Sequence, residues 1–198
     1  MHYNYPLELS FKLLAIGPQI FVRDTSGNEV LYVHMKAFKL KEAISVYKDS
    51  QKGRVLFTIK ANKIIDFSAE YHITNEDGYR IGSVKREGMK SLLKASYNVI
   101  GKDGMQSHTI KEDAGIIRVL DSLFGSIPVL GLLAGFVFHP SYTVSTMTET
   151  PVIRIEKKAD LFEGKFLLDL VDTGIDSDTE QLLLMSSLMM ILLERDRG

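Results

Sequence analysis

Apolar and polar residues alternate one by one through most of the first half of the chain. Leu7 to Leu13 reads LELSFKL. QIFVRD (19–24) and EVLYVHM (29–35) flank a turn at Gly27–Asn28, where positive φ costs little. AISVYKD (43–49) and RVLFTIKA (54–61) flank DSQKG, and FSAEYHI (67–73) and YRIGSVKRE (79–87) flank TNEDG. LKASYNVIG (93–101) and MQSHTIKE (105–112) flank KDG. A period of two puts successive side chains on opposite faces of a strand. Strands this short, recurring with Gly/Asn/Asp turns between them, predict an antiparallel meander, sandwich or barrel.

The period changes at residue 114. In AGIIRVLDSLF, Ile116, Ile117, Leu120, Leu123 and Phe124 fall at helical spacing and predict a short helix over 114–124. An uninterrupted apolar run follows from Ile127 to Phe138, with Gly131 and Gly135 four apart. It has three readings: a buried connector, a membrane-dipping segment or a partner surface. SYTVSTM (141–147), PVIRIEKKA (151–159) and GKFLLDLVD (164–172) return to strand character.

From Leu182 to Leu193 every residue is apolar except Ser186 and Ser187. A helix that is hydrophobic all round lies in lipid or inside protein. Twelve residues of helix extend ~18 Å, short of the ~30 Å hydrocarbon core of a bilayer. Protein must therefore surround it, and the chain offers mostly strands with one apolar face each. The economical solution is a closed antiparallel β-barrel around a buried C-terminal helix, Thr179–Glu194. Ser177 with Glu180 three residues on reads as a capping box. Asp176 and Asp178 add negative charge at the helix start, and Arg195 and Arg197 positive charge at its end. Serine hydroxyls can return to helix carbonyls, so burying Ser186 and Ser187 is tolerable.

Composition narrows function by exclusion. The 198 residues include no cysteine, which removes disulfides, thiolate metal sites and a cysteine nucleophile. No repeat or linker divides residues 1–198, so one domain is expected. The N-terminus lacks a signal-peptide pattern and no apolar run is long enough to span a bilayer, so a cytoplasmic chain is expected, free or peripheral to a membrane. A net charge of −1 argues against nucleic acid as a partner. The charge is uneven: residues 1–111 hold 17 Lys/Arg against 11 Asp/Glu, and residues 112–198 hold 7 against 14. Either the two halves interleave and cancel, or the protein has a basic and an acidic face.

Three stretches carry a resemblance: IFVRDTSGNEVLYV, YRIGSVKREGMKSLLKASYNVIGKDG and the terminal EQLLLMSSLMMILLERD. Together they resemble the LURP-one-related family, whose plant members show a similar strand, Asp-x-x-Gly-Asn turn and strand, a strand ending in Val-Lys-Arg, and a small, apolar last helix. The resemblance implies a tubby C-terminal-like fold: twelve antiparallel strands closed around the C-terminal helix. Tubby proteins, which bind membrane phosphoinositides through basic residues, and phospholipid scramblases, which respond to calcium, look like relatives in fold.

The candidate sites follow from charge and from that resemblance. Lys85, Arg86, Lys90 and Lys94 supply cations of the kind that bind phosphate head groups. The tubby Gly-basic-x-basic pattern reads here as Gly82 to Lys85, with Ser83 at the first basic position. Strand alternation puts Lys85 and Arg86 on opposite faces unless a bend intervenes. Asp172, Asp176, Asp178 and Glu180 are a candidate calcium cluster, although capping accounts for the last three. The histidines are scattered; His34, His72 and His108 lie on predicted strands. There is no Gly-x-Ser-x-Gly elbow, P-loop or dinucleotide fingerprint, and nothing calls for a cofactor. The expectation is a noncatalytic module that binds anionic lipid head groups or a similar phosphorylated ligand. The alternative is a structural or protein-interaction domain.

Overall fold

The computed structural model describes residues 3–12, 19–35, 43–62, 69–88, 94–113, 140–158 and 164–195. The expected 114–124 helix, the run from Ile127 to Phe138 and Arg197 lie outside them. Within them, strands form wherever the alternation predicted one. In chain order these are β1 (Leu7–Lys12), β2 (Gln19–Arg23), β3 (Glu29–His34), β4 (Ile44–Tyr47), β5 (Val55–Ala61) and β6 (Glu70–Asn75). They continue with β7 (Arg80–Arg86), β8 (Ser96–Gly101), β9 (Gln106–Glu112), β10 (Ser141–Thr146), β11 (Pro151–Lys158) and β12 (Lys165–Leu170). A helix, α1 (Ser177–Arg195), follows the last strand.

Each strand pairs antiparallel with its sequence neighbours, and β1 closes on β12, with Leu7 opposite Leu168 and Leu9 opposite Phe166. The closed barrel leaves no open edge. Up-and-down order sends connections alternately to the two ends. One end, the turn rim, carries the β2–β3, β4–β5, β6–β7, β8–β9 and β10–β11 hairpins and the approach to α1.

Those five hairpins use one turn. In each, an N–H returns to the carbonyl three residues earlier: Gly27 to Asp24, Lys52 to Asp49, Gly78 to Asn75, Gly104 to Gly101 and Glu149 to Thr146. The N–H donor has positive φ each time, and each strand pair shifts register beside its turn. This is a type I turn closed by a left-handed residue and a bulge. In DSQKG the left-handed residue is Lys52, with φ 59°, one position before the glycine.

The barrel is filled. Inward residues of the strands, such as Leu9, Phe11, Ile20, Leu31 and Ile155, meet the buried stretch Leu182–Leu192 of α1. Each fully buried large apolar side chain contributes about 1.5–3 kcal/mol, so α1 supplies much of the driving force for closure. The fit is tight at Gly82: a Cβ there would stand 2.5 Å from the Ile100 carbonyl oxygen and 2.6 Å from Leu182 Cδ1. Ser187 returns its hydroxyl to the Leu183 carbonyl at 2.8 Å, as expected. The Ser186 hydroxyl is buried with no partner among the described residues.

The helix start differs from the expected capping box. Asp176, not Ser177, is the cap: its Oδ1 accepts the N–H groups of Asp178 and Thr179 at 3.0 Å, and its Oδ2 the Thr179 hydroxyl at 2.7 Å. Moving the cap back one residue moves Glu180 out of the reciprocal position and turns it into the barrel. There its Oε1 accepts the Tyr3 N–H at 3.3 Å.

Candidate functional site: the outer wall of β6–β8

The burial of β7 follows its sequence, RIGSVKR. Alternation turns Gly82, Val84 and Arg86 to the interior and Ser83 and Lys85 to the outer face, where Lys85 is half-buried and Ser83 is covered completely by its neighbours. Arg86 is thereby parted from Lys85. Its guanidinium lies 3.3 Å from Glu194 Oε1 at the C-terminal end of α1 and 5.6 Å from the Tyr97 ring centroid, and the Tyr97 hydroxyl donates to the same carboxylate. A guanidinium in that position holds the helix end and is turned away from the outer wall.

Lys85 stands on the outside between Glu70 of β6 and Asn98 of β8, its direct cross-strand partners. Beside it the Glu70 carboxylate is surrounded by donors. Ser83 Oγ donates to Glu70 Oε1 at 2.6 Å, and Arg80 Nη2 donates to that oxygen and to Ser83 Oγ, both at 3.0 Å. His72 Nδ1 is 3.5 Å from the same oxygen. The Ser83 hydrogen bond, followed by the charges of His72, Arg80 and Lys85, holds Glu70 below the usual carboxylate range against the opposing effect of burial. The wall therefore holds an oxyanion among a hydroxyl, a guanidinium, an imidazole and an ammonium.

The remaining expected residues are dispersed. Lys94 lies just ahead of β8, partly exposed, and Lys90 falls outside the described residues. Glu87 accepts the Ser96 hydroxyl at 2.7 Å. Of the acidic cluster, Asp176 caps α1, Asp178 lies 3.8 Å from Lys102, Asp172 accepts the Gly174 N–H at 2.9 Å and Glu180 points inward. His34 stacks on Tyr32, His72 joins the Glu70 group, and His108 sits on β9 with its pKa lowered by burial. Among the described residues no three His, Asp or Glu side chains come together as a metal ion would require, and no helix is long and apolar enough to cross a membrane.

Glu70, Arg80 and Ser83 were absent from the sequence-based set. Alternation in EYHITN marks Glu70 and His72 as sharing a face, but only the β6–β7 register brings them to Lys85.

A family model, LURP-one-related, matches residues 29–191, from β3 into the last turns of α1. This chain belongs to the LURP-one-related family. An X-ray structure of a protein from Arabidopsis thaliana shares the fold of this LURP-one-related chain at 14% identity, with a TM-score of 0.52, covering 98% of this chain and 93% of that one. No curated protein matches the LURP-one-related chain in sequence. The family and the fold are thus shown, as a twelve-stranded antiparallel barrel around one C-terminal helix.

Proposed function

We propose that this LURP-one-related chain is a noncatalytic module whose outer wall at β6–β8 binds an anionic lipid head group or a similar phosphorylated ligand at a membrane surface. The observation that carries this reading is the Glu70 carboxylate, seated among Ser83, Arg80 and His72 beside Lys85. Groups that converge on a carboxylate also suit a phosphate oxygen. α1 fills the barrel interior, and this wall lies on the accessible outside. Lys94, next to β8, adds a cation near the same strands.

Cosedimentation of the full chain with vesicles of neutral lipid, and of neutral lipid mixed with phosphatidylserine or a phosphoinositide, tests the reading. Binding should require the anionic lipid and weaken as salt is raised. Lys85→Ala with Lys94→Ala should abolish it. Glu70→Gln, which removes the competing negative charge, should strengthen it. Release by soluble inositol phosphate would identify the head group as the determinant. Calcium should make no difference, since the 172–180 carboxylates diverge. Absence of binding to anionic vesicles, or binding indifferent to Lys85, would defeat the proposal.

A further inference from the structure

The large hydrophobic residues that stand exposed among the described residues all lie on one arc of the turn rim. They are Tyr79 (72% exposed), Met105 (67%), Met147 (56%) and Val171 (47%). Tyr79 is in the β6–β7 connection, Met105 in β8–β9, Met147 in β10–β11, and Val171 follows β12. Strands in a sheet lie ~4.8 Å apart, so alternate turns are ~10 Å apart and the arc runs ~30 Å. Single exposed apolar residues are ordinary; here four recur at successive positions around one rim, and that clustering points to an interaction surface.

The fold does not require these side chains. Tyr79 and Met105 occupy the same position in equivalent turns, immediately after the left-handed glycine, where the β2–β3 and β4–β5 turns carry Asn28 and Gly53. Met147 stands where the other four turns carry Thr25, Ser50, Glu76 and Lys102. The β2–β3 and β4–β5 turns, identical in backbone, have polar residues or glycine at both places.

Charge decides what would cover the arc. Residues 76–79, 102–105, 147–150 and 171–178 hold seven carboxylates and one cation, Lys102. Ion pairs engage Glu76 with Arg54, Glu149 with Lys111 and Asp178 with Lys102. Asp103 and Asp172 accept N–H groups at the two turns that present Met105 and Val171. With the paired cations Arg54 and Lys111 counted beside Lys102, the rim still carries four more carboxylates than cations, which disfavours an anionic leaflet. We infer that the arc docks a polypeptide segment that combines apolar with Lys or Arg side chains. Methionine adapts to irregular surfaces, and Tyr and Met are enriched at protein interfaces. This inference does not rest on the lipid reading, which uses the outer wall of β6–β8 rather than the turns of the rim.

The probe is a labelled 20-residue amphipathic Leu/Lys helix, titrated into the full chain by fluorescence anisotropy at two salt concentrations. Amide NMR shifts map its footprint, and a Leu/Glu peptide of the same pattern is the control. The Leu/Lys peptide should bind, the Leu/Glu peptide should not, and the shifts should fall on residues 76–79, 102–105, 147–150 and 171–178. Met105→Ser with Met147→Ser should weaken binding about tenfold while leaving the thermal midpoint unchanged, since both side chains are exposed. Asp103→Asn with Asp172→Asn, which keeps the turn acceptors, should flatten the salt dependence. Failure of the Leu/Lys peptide to bind, a footprint elsewhere, or equal affinity in the serine pair would overturn the inference. So would neutral vesicles that sediment the wild type but not the serine pair, which would assign the rim to a bilayer.

Discussion

Both ends of α1 hold a glutamate against tyrosines, but by different physics. At the N-terminal end Glu180 is fully buried under Tyr3 and Tyr5 and takes the Tyr3 N–H. Burial, helped by the nearby Glu180 charge, pushes Tyr3 up to about 12 and raises Tyr5 further. Here the helix dipole is positive and favours a carboxylate. At the C-terminal end the dipole is negative, and Glu194 sits against it. Burial raises Glu194, while the Tyr97 hydroxyl and Arg86 oppose that rise. Burial and the neighbouring Glu194 also hold Tyr97 and Tyr142 in their neutral forms. At the favourable end the carboxylate accepts a backbone N–H, whereas at the unfavourable end a guanidinium from the barrel wall stands beside it. Alternation along β7 turns Arg86 inward, and that brings it to this end of α1.

The largest break in this comparison should come from Arg86→Leu, which removes the guanidinium 3.3 Å from Glu194. It should cost about 3–5 kcal/mol at neutral pH by urea denaturation. Because the folded state raises Glu194 above its ordinary value of 4.5, its folded form binds the proton more tightly than the unfolded chain does. Stability from this group is full below about 4.5 and falls as pH rises through the raised value. The variant's deficit should therefore shrink on acidification, and a deficit independent of pH would refute the assignment.

The same substitution at each end sharpens the contrast. Glu194→Gln should cost about 2–3 kcal/mol, because it leaves the Arg86 guanidinium buried with a neutral partner. Glu180→Gln should cost less, about 1–2 kcal/mol, since the amide oxygen can still accept the Tyr3 N–H while the charge at the positive helix end is lost. Adding Arg86→Leu to Glu194→Gln should recover most of the loss in a double-mutant cycle. Equal costs for the two glutamines would show that the ends are equivalent after all. The smallest effect belongs to the cap: Asp176→Ala should cost about 1 kcal/mol, while Ser177→Ala should change the midpoint little.

The strands and the central helix were legible because their signals are local: a period of two, turn residues, and a helix apolar on every side. The capping box was misread because Asp176 and Ser177 are adjacent residues of equal capping ability, and only the burial of Glu180 decides between them. Arg86 joined the wall set on charge, although alternation already placed it opposite Lys85. The Glu70–Ser83–Arg80 group and the apolar arc were out of reach, because both depend on which strands neighbour one another. Tyr79, Met105, Met147 and Val171 are more than twenty residues apart in sequence and adjacent only along a closed rim.

The closure of β1 on β12 around α1 has a consequence for biosynthesis. Every strand leaves the ribosome before the segment that fills the barrel. At about 5–20 residues per second, β1 waits on the order of ten seconds or more for its partner. During that interval the apolar strand faces are made but cannot be covered by the element that covers them in the end. Closure of the barrel around its native filling can therefore begin only when α1 itself has emerged.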